Sequence, residues 1–442
     1  MWGVLAPSPS VGRATDGASD CLPGCHDTGA SLTRLCRPAA GVVYAVRCHS
    51  PDTRVRDADA FSSIIPRMNR PVLGAVLVPV LSLLVGCAGA TSNVRRPHEV
   101  DALFADYDAP ERPGASVVVL HEGKVVLSRA YGLADVGTRT KATPESHYRL
   151  ASLSKQFTAM AVLLLVEEGK LRLEDRVVDV LPGFPSSLGE VRLHHLLQHT
   201  SGIWDYEAFV PATQTEQVKD RDVLALLSRA DRTYFAPGSA VRYSNSAYAV
   251  LSLVVEKVSG VSFARFLRER VFTPGGMASA VAHEEGVSTV PQRAYGHASR
   301  EEGFVPRDQS NTSAVLGDGG IYASVVDLAA WDVALDAGTL VDAKARARAW
   351  TPVKLPDGAS GRYGFGWFVD EDQGRTRLSH HGETCGFTNA IVKYPDQRLT
   401  VIVLTNRAGG APWTLAQHVA DLWLGTPVTP RPWPFESMAN AH

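Results

Sequence analysis

Residues 148–155 read Tyr148-Arg149-Leu150-Ala151-Ser152-Leu153-Ser154-Lys155, and they place a serine three positions before a lysine. Apolar residues recur with helical spacing after this pair, at Phe157, Met160, Ala161, Leu164 and Leu165. Because Gly169 is a natural C-terminal stop, the pattern predicts a helix that begins at Ser152 and ends at Glu168. Residues three apart share a helix face, so we expect the Lys155 amine to reach the Ser152 hydroxyl.

The two side chains suit nucleophilic catalysis. A serine hydroxyl attacks poorly until a base removes its proton, and an enclosed lysine can lose its own proton near neutral pH. A helix N-terminus also favours the negative charge that develops during acyl transfer. Ser152 is therefore a candidate nucleophile and Lys155 its candidate base. Ordinary solvated helices carry the same spacing, so the pair alone does not decide the function.

A second polar group follows a Pro-Gly turn. Pro237-Gly238 precedes the triplet Tyr243-Ser244-Asn245, and no other Tyr-x-Asn occurs in the chain. A phenol beside a lysine cation can have its pKa lowered enough to shuttle protons, and an amide can orient an ester or amide carbonyl. The alternative is a tyrosine and an asparagine in an ordinary loop.

A third segment contains a His-x-Gly triplet between strand-like stretches. It reads Leu378-Ser379-His380-His381-Gly382-Glu383-Thr384-Cys385-Gly386-Phe387. Glycine at position 382 lets a substrate approach the backbone closely. The triplet also occurs at His121-Glu122-Gly123, but there it separates two alternating segments, 116–120 and 125–130, and predicts a hairpin turn without chemistry.

The order Ser-x-x-Lys, Tyr-x-Asn, His-x-Gly resembles the serine hydrolases of the β-lactamase-like family, which includes class C β-lactamases, low-molecular-weight D-alanyl-D-alanine peptidases and family VIII-type esterases. The resemblance covers roughly residues 98–425. Further segments similar to this family are 113–116 (Pro-Gly-Ala-Ser), 196–203 (Leu-Leu-Gln-His-Thr-Ser-Gly-Ile), 319–324 (Gly-Gly-Ile-Tyr-Ala-Ser) with Asp327-Leu328, and 363–367 (Tyr-Gly-Phe-Gly-Trp).

The resemblance implies a role for each matching residue. Ser152 is the residue that becomes acylated, Lys155 and Tyr243 share the proton transfers, and Asn245 binds the carbonyl side chain of the substrate. The oxyanion hole is then the backbone N–H of Ser152 together with that of Glu383. Glu383 departs from the family pattern, in which a small residue usually follows the glycine.

His380 stands where β-lactamases have the lysine of a Lys-Thr-Gly triplet, and Gly382 completes the substrate-binding strand. An unperturbed imidazole, with a pKa of about 6.5, is mostly neutral at pH 7, so it binds a carboxylate less well than lysine does. This favours neutral esters or amides, acted on by a carboxylesterase or amidase. The alternatives are a D-amino-acid peptidase, a weak β-lactamase, and a non-catalytic penicillin-binding-like sensor or binding protein, for which we would expect Lys155, Tyr243 or Gly382 to be lost.

Composition excludes some function classes. The chain has 442 residues, 45% of them hydrophobic and 20% charged, and a net charge of −2. These values are typical of a globular protein, and they lack the excess of positive charge that is typical of nucleic-acid binding.

The histidines at 194, 195 and 199 lack the His-Glu-x-x-His spacing, so we expect no metal and no cofactor. The expected partner is a small-molecule ester, amide or peptide, and no obligate protein partner is indicated.

The segment from Met68 resembles a bacterial lipoprotein signal. Asn69-Arg70 precedes the apolar run 71–85, and the stretch ends in Leu84-Val85-Gly86-Cys87. A short basic start, a brief apolar core and small residues at a cleavage point are typical of export signals. Cys87 would then carry a lipid anchor, and Ala88 favours the outer membrane where one exists. A single-span anchor or a buried helix is the alternative.

The predicted domains follow from this signal. We expect Met68 to be the true start, so that residues 1–67 are a mis-annotated or disordered N-terminal extension. The alternative is a small module built on Cys21, Cys25, Cys36 and Cys48. Residues 68–86 form the signal, 87–97 a linker, 98–427 the hydrolase domain and 428–442 a tail. Cys385 is expected to be a free thiol.

The expected fold is α/β of the α+β kind. Strands are predicted near 116–120, 125–130, 364–369, 389–393 and 399–404, on both sides of a mainly helical middle. The N- and C-terminal strands should therefore join in one antiparallel sheet, with helices near 98–106 and 413–424 on it and an all-α subdomain near 155–270. The resemblance implies the same fold, with the active site between the two regions.

Overall fold

The structure is a computed structural model that describes residues 88–433, with side chains described from Arg96 onward. The predicted lipidation site Cys87, the signal 68–86 and the extension 1–67 lie outside the described residues, and so do positions 434–442. The predictions made for those segments therefore remain predictions.

A six-stranded antiparallel sheet is the centre of the fold. Its strands lie in the order Phe368–Asp372, Arg375–Thr384, Phe387–Tyr394, Leu399–Thr405, Ala115–His121 and Lys124–Tyr131. The strands of the described chain are β1 (Ala115–His121), β2 (Lys124–Tyr131), β3 (Leu133–Asp135), β4 (Thr140–Lys141), β5 (Tyr148–Arg149), β6 (Val281–Ala282), β7 (His297–Arg300), β8 (Gly303–Pro306), β9 (Ile321–Ala323), β10 (Phe368–Asp372), β11 (Arg375–Thr384), β12 (Phe387–Tyr394) and β13 (Leu399–Thr405). The fold class predicted from the sequence is confirmed.

The first and last strands of the domain are neighbours. β1 pairs with β13 in a register that runs from Ala115 opposite Thr405 to His121 opposite Leu399. This confirms that N- and C-terminal segments share one sheet. The predicted hairpin between β1 and β2 is also present, with left-handed backbone at Glu122 (φ 54°) and Gly123 (φ 75°), the geometry that a two-residue turn between twisted strands requires.

Both faces of the sheet are covered. The helices are α1 (Ala88–Leu103), α2 (Lys155–Glu167), α3 (Val177–Val180), α4 (Leu193–Leu197), α5 (Asp220–Leu227), α6 (Asn245–Ser259), α7 (Phe263–Phe266), α8 (Leu316–Gly319), α9 (Val325–Ala337), α10 (Ala343–Ala349) and α11 (Pro412–Leu424). Successive residues of a strand point to opposite faces. Accordingly Val117 packs in a core with residues of α1 and α11, whereas Val118 packs in a second core with residues of α2 and α9.

The helices α2 to α7 form a second region beside the sheet, as predicted for 155–270. A single turn of 3-10 helix at Ala151–Ser154 leads into α2, and Gly169 follows α2 with φ 69°, which is a favourable helix stop. Within residues 88–433 no single helix is long and apolar enough to cross a bilayer; α6 and the helical segment Phe263–Phe272 reach that length only together, and they are bent by 77°.

Three segments differ from the predictions. The strand expected at 364–369 begins only at Phe368, because Gly366 has φ 77° and packs so closely on α2 that a Cβ there would lie 2.8 Å from Gln156 Cα. Helix α1 begins at Ala88, within the predicted linker 87–97, and ends at Leu103. The first residues of the predicted tail are docked, since the Arg431 guanidinium donates to Asp421 of α11 at 2.8 Å.

Candidate active site

A tight turn presents Ser152. Ala151 has φ 51°, a left-handed conformation that costs a residue with a side chain some energy. The turn is fixed from the sheet, because Asn389 of β12 donates its side-chain N–H to the Arg149 carbonyl at 2.9 Å. Ser152 is partly exposed while Leu153 and Ser154 beside it are buried. The only hydroxyl of this turn that faces solvent is therefore that of Ser152.

Lys155 is fully buried and its amine lies beside the serine. Its Nζ is 3.0 Å from Ser152 Oγ, 2.9 Å from Asn245 Oδ1 and 2.9 Å from the main-chain oxygen of Asp318. These three acceptors match the three donors of an ammonium group. When the amine is neutral, its lone pair can take the Ser152 proton across the same 3.0 Å contact, which is the geometry of a general base.

Asn245 is the first residue of α6 and links the lysine to the open cleft. Its backbone N–H donates to Asp205 Oδ2 at 2.7 Å, which fixes the start of the helix. Its side-chain oxygen accepts from Lys155, and its Nδ2 lies 3.5 Å from Glu207 Oε1. The structure thus brings together Ser152, Lys155 and Asn245, three of the residues predicted from the sequence.

Tyr243 lies next to the lysine and contacts it through the face of its ring rather than through a hydrogen bond. The Lys155 amine stands over the face of the Tyr243 ring, 4.9 Å from its centroid, and the Tyr243 hydroxyl is buried without a hydrogen-bond partner in the described chain. The Ser244 N–H between Tyr243 and Asn245 donates to His199 Nδ1 at 3.3 Å. His199 therefore helps to position the Tyr243-Ser244-Asn245 segment.

His380 is placed behind the cleft rather than on its wall. It is 1% exposed, its Nδ1 donates to the main-chain oxygen of His381 at 2.8 Å, and its Nε2 accepts from the Tyr363 hydroxyl at 3.0 Å. Burial, together with the nearby Lys155 cation, lowers the pKa of His380 to about 3. The sequence predicted a neutral imidazole that binds substrate; the side chain found here is neutral, but both of its nitrogens are already bonded within the protein.

Gly382 and Glu383 lie on the strand edge that faces Ser152. β10 pairs with β11 only as far as Ser379, so the following residues keep one edge open. A Cβ on Gly382 would lie 2.4 Å from the Leu150 oxygen and 3.3 Å from the Ser152 nitrogen. Only glycine therefore allows this strand to approach the nucleophile so closely. The close approach places the backbone of β11 beside the Ser152 nitrogen, the region in which an oxyanion hole would need its N–H donors.

The cleft at Ser152 is small and acidic. Its volume is about 60 Å³, and its lining includes Asn245 and three carboxylate residues, Glu207, Asp318 and Glu383. Burial raises the pKa of Asp318 well above its usual value. The Lys155 cation lowers this pKa, whereas the carboxylates of Asp220 and Glu207 raise it further.

Arg149 also lines the cleft but is 3% exposed. It donates to Gln309 Oε1 at 3.1 Å and to the main-chain oxygen of Ser313. Its positive charge is thus directed into the protein, away from a substrate at Ser152.

Sequence reasoning missed three residues of this site. Asp318 directly precedes the Gly319-Gly320 pair that carried part of the resemblance, but a lone aspartate before glycines gives no periodic signal. Glu207 lies in a 3-10 turn, Tyr206–Phe209, that no pattern predicted. Tyr363 stood in a segment that resembled the family, and its contact with His380 depends on a fold that joins distant segments.

Comparison with known proteins agrees with this geometry. The Beta-lactamase family model matches residues 100–421. The chain therefore belongs to the Beta-lactamase family and is a serine hydrolase of that family.

Two curated relatives and one solved structure are similar to it. The chain is 31% identical to penicillin-binding protein 4* of Bacillus subtilis over 330 residues, 71% of this chain and 72% of that protein. It is 32% identical over 320 residues to a D-aminopeptidase of Brucella anthropi, covering 72% of this chain but only 60% of that enzyme. The octameric penicillin-binding protein homologue from Pyrococcus abyssi has a TM-score of 0.65 and 28% identity, with 77% of this chain and 78% of that chain covered.

Proposed function

We propose that the chain hydrolyses esters or amides that carry no carboxylate next to the scissile bond, through an acyl-enzyme at Ser152. The observation that carries this proposal is the acidic cleft beside the Ser152–Lys155 pair. A carboxylate substrate would meet Glu207 and Glu383 without a lysine in the position of His380 to balance them. Like charges at such close range are unfavourable; solvent around the exposed Glu207 and Glu383 reduces this repulsion but does not remove it.

The contacts of Lys155 support a sequence of two half-reactions. Neutral Lys155 takes the proton of Ser152 while Oγ attacks the carbonyl carbon, and the backbone N–H groups of Ser152 and Glu383 stabilise the resulting oxyanion. The leaving alcohol or amine receives a proton, for which we propose the Lys155–Tyr243 pair as the source. Water then attacks the acyl-enzyme, and the second half-reaction returns the proton to Ser152.

A D-amino-acid peptidase is the second candidate. Glu207 and Glu383 would attract the ammonium group of an unblocked amino acid, and one relative is named as a D-aminopeptidase. Such a peptidase would use the same mechanism as the esterase or amidase. Its substrate would differ in carrying a positively charged group beside the scissile bond.

A series of activated substrates that differ in charge tests the proposal. We expect kcat/KM for p-nitrophenyl butyrate, or for the p-nitrophenyl ester of D-alanine, to exceed that for the anionic p-nitrophenyl hemisuccinate by tenfold or more. Replacing Glu383 by Gln should narrow this ratio by roughly three- to tenfold, because one charge at the cleft is removed.

The matched control is Glu371→Gln, which removes the same charge from an exposed position on β10, outside the lining of the cleft. It should leave the ratio unchanged. Preference for the hemisuccinate in the unmodified protein would contradict the proposal, and preference for the D-alanine substrate over the butyrate would favour the peptidase.

We propose in addition that Cys87 carries a lipid anchor, which would hold the enzyme on the periplasmic side of a membrane, at the outer membrane where one is present. The apolar run 71–85 and the Leu-Val-Gly-Cys ending support this. Several acyl chains at about 0.8 kcal/mol per buried methylene would make the attachment stable.

Expression in a bacterial host with an alkyne fatty acid tests the anchor. The unmodified chain should incorporate the label and sediment with membranes, whereas Cys87→Ser should lose the label and Cys385→Ser should retain it. Equal labelling of the Cys87→Ser protein would rule out this anchor.

A further inference from the structure

Asp220 is a buried carboxylate outside the cleft that binds main-chain groups next to the catalytic lysine. It is the first residue of α5 and is 9% exposed. Its Oδ2 accepts from the Leu316 N–H at 2.8 Å, and its Oδ1 accepts from the Gly317 N–H at 2.9 Å and from Ser252 Oγ at 2.8 Å. Burial raises the pKa of Asp220 to about 6 against the effect of these hydrogen bonds.

The segment that Asp220 binds is α8, and its next two carbonyl groups face α2. The Gly317 oxygen accepts from Thr158 Oγ1 at 2.7 Å, and the Asp318 oxygen accepts from Lys155 Nζ at 2.9 Å. There is no room for α8 to shift freely, because a Cβ on Gly317 would lie 2.3 Å from the Tyr248 oxygen of α6. The N–H side of α8 is thus held by α5 and the carbonyl side by α2.

We propose that Asp220 is a positioning residue for Lys155, which it holds against Ser152 by fixing the Asp318 carbonyl. The proposal rests on the proposed acyl-enzyme mechanism. If the Asp318 carbonyl moved away, Lys155 would keep only Ser152 and Asn245 as partners. An error of about 1 Å in the position of a catalytic group can cost about 10²-fold in rate.

The chemistry of the contacts explains why the residue is a carboxylate. Each oxygen of Asp220 faces at least one donor, and no ion pair of Asp220 exists among the described residues, so its burial is costly. An asparagine of the same shape has one acceptor oxygen, and its NH₂ group would face a backbone N–H of Leu316 or Gly317. Asp220→Asn therefore disturbs α8 without changing the volume of the side chain.

The experiment measures the rate of covalent labelling by a fluorophosphonate, followed by intact mass spectrometry, at a fixed pH and with thermal melts of every variant. We expect Asp220→Asn to be labelled about tenfold to hundredfold more slowly. Ser252→Ala is the matched control, since it removes one donor to the same carboxylate but leaves both backbone contacts of α8. It should lose stability and keep its labelling rate within about threefold of the unmodified protein.

A double-mutant cycle separates positioning from general damage. In a Lys155→Ala background, Asp220→Asn should cause no further slowing, because the group that it positions is absent. An equal slowing in both backgrounds, or normal labelling of Asp220→Asn, would overturn the proposal while leaving the proposed function intact.

Two further results complete the test. If Asp220→Asn does not fold, Thr158→Val is used instead, because it removes the other side-chain contact of α8. Thr158→Val should slow labelling of the protein that has Lys155 and should not slow it further in the Lys155→Ala protein. Equal slowing of both proteins overturns the proposal. Absence of any adduct on the folded unmodified protein would overturn both this proposal and the proposed function.

Discussion

Replacing Ser152 by alanine is expected to abolish turnover of every substrate and all covalent labelling by a fluorophosphonate. Without Oγ no acyl-enzyme can form, and the neighbouring lysine has no hydroxyl to activate. The fold should change little, because Ser152 is only partly buried and the turn around it is fixed by backbone contacts and by Asn389. Intact mass spectrometry of the two proteins after exposure to the probe gives the result directly.

Ser154→Ala provides the matched control for this variant. Ser154 lies in the same turn, but it is fully buried and its Oγ accepts from the Ile321 N–H of β9 at 3.3 Å. The Ser154→Ala protein should therefore lose some stability and still be labelled at one site. An adduct on Ser152→Ala, at the stoichiometry of the unmodified protein, would show that another residue is the nucleophile.

Replacing Lys155 by alanine should slow acylation by about three powers of ten or more, while Ser152 remains available. Removal of the amine takes away the group that lies 3.0 Å from Ser152 Oγ and could accept its proton. It also leaves Asn245 Oδ1 and the Asp318 oxygen without their donor. The pseudo-first-order labelling rate at several probe concentrations measures this loss.

Lys155→Arg distinguishes base catalysis from electrostatics. A guanidinium keeps the positive charge but does not give up its proton in proteins. If Lys155 acts as a base, the arginine variant should be nearly as slow as the alanine variant. Recovery of most of the rate by arginine would mean that the positive charge, rather than proton transfer, is what the site requires.

The sequence was sufficient to predict the elements with strong local patterns. The apolar period after Ser152 predicted α2 and its end at Gly169, and the alternation around Glu122-Gly123 predicted the first hairpin. The family and the pairing of the end strands were likewise predicted and are confirmed. Each of these features depends on residues that are near in sequence or on a motif that recurs in a family.

Features that depend on packing between distant segments could not be predicted. The strand expected from residue 364 begins at Phe368, because the glycines before it allow a loop to approach α2. The hydrogen bonds of His380 are set by Tyr363 and by the chain direction of β11, neither of which spacing reveals. The acidity of the cleft comes from Glu207 and Glu383, which lie far apart in the sequence.

The pairing of β1 with β13 implies that the active site is completed late in synthesis. β13 lies between β1 and β12 in the sheet, so the β11–β12 hairpin can join β1 only after nearly the whole domain has been made. Until then, Gly382 has no sheet to hold it against Ser152. A nascent or prematurely terminated chain would carry the nucleophile without the strand that faces it, and hydrolysis would begin only with the finished molecule.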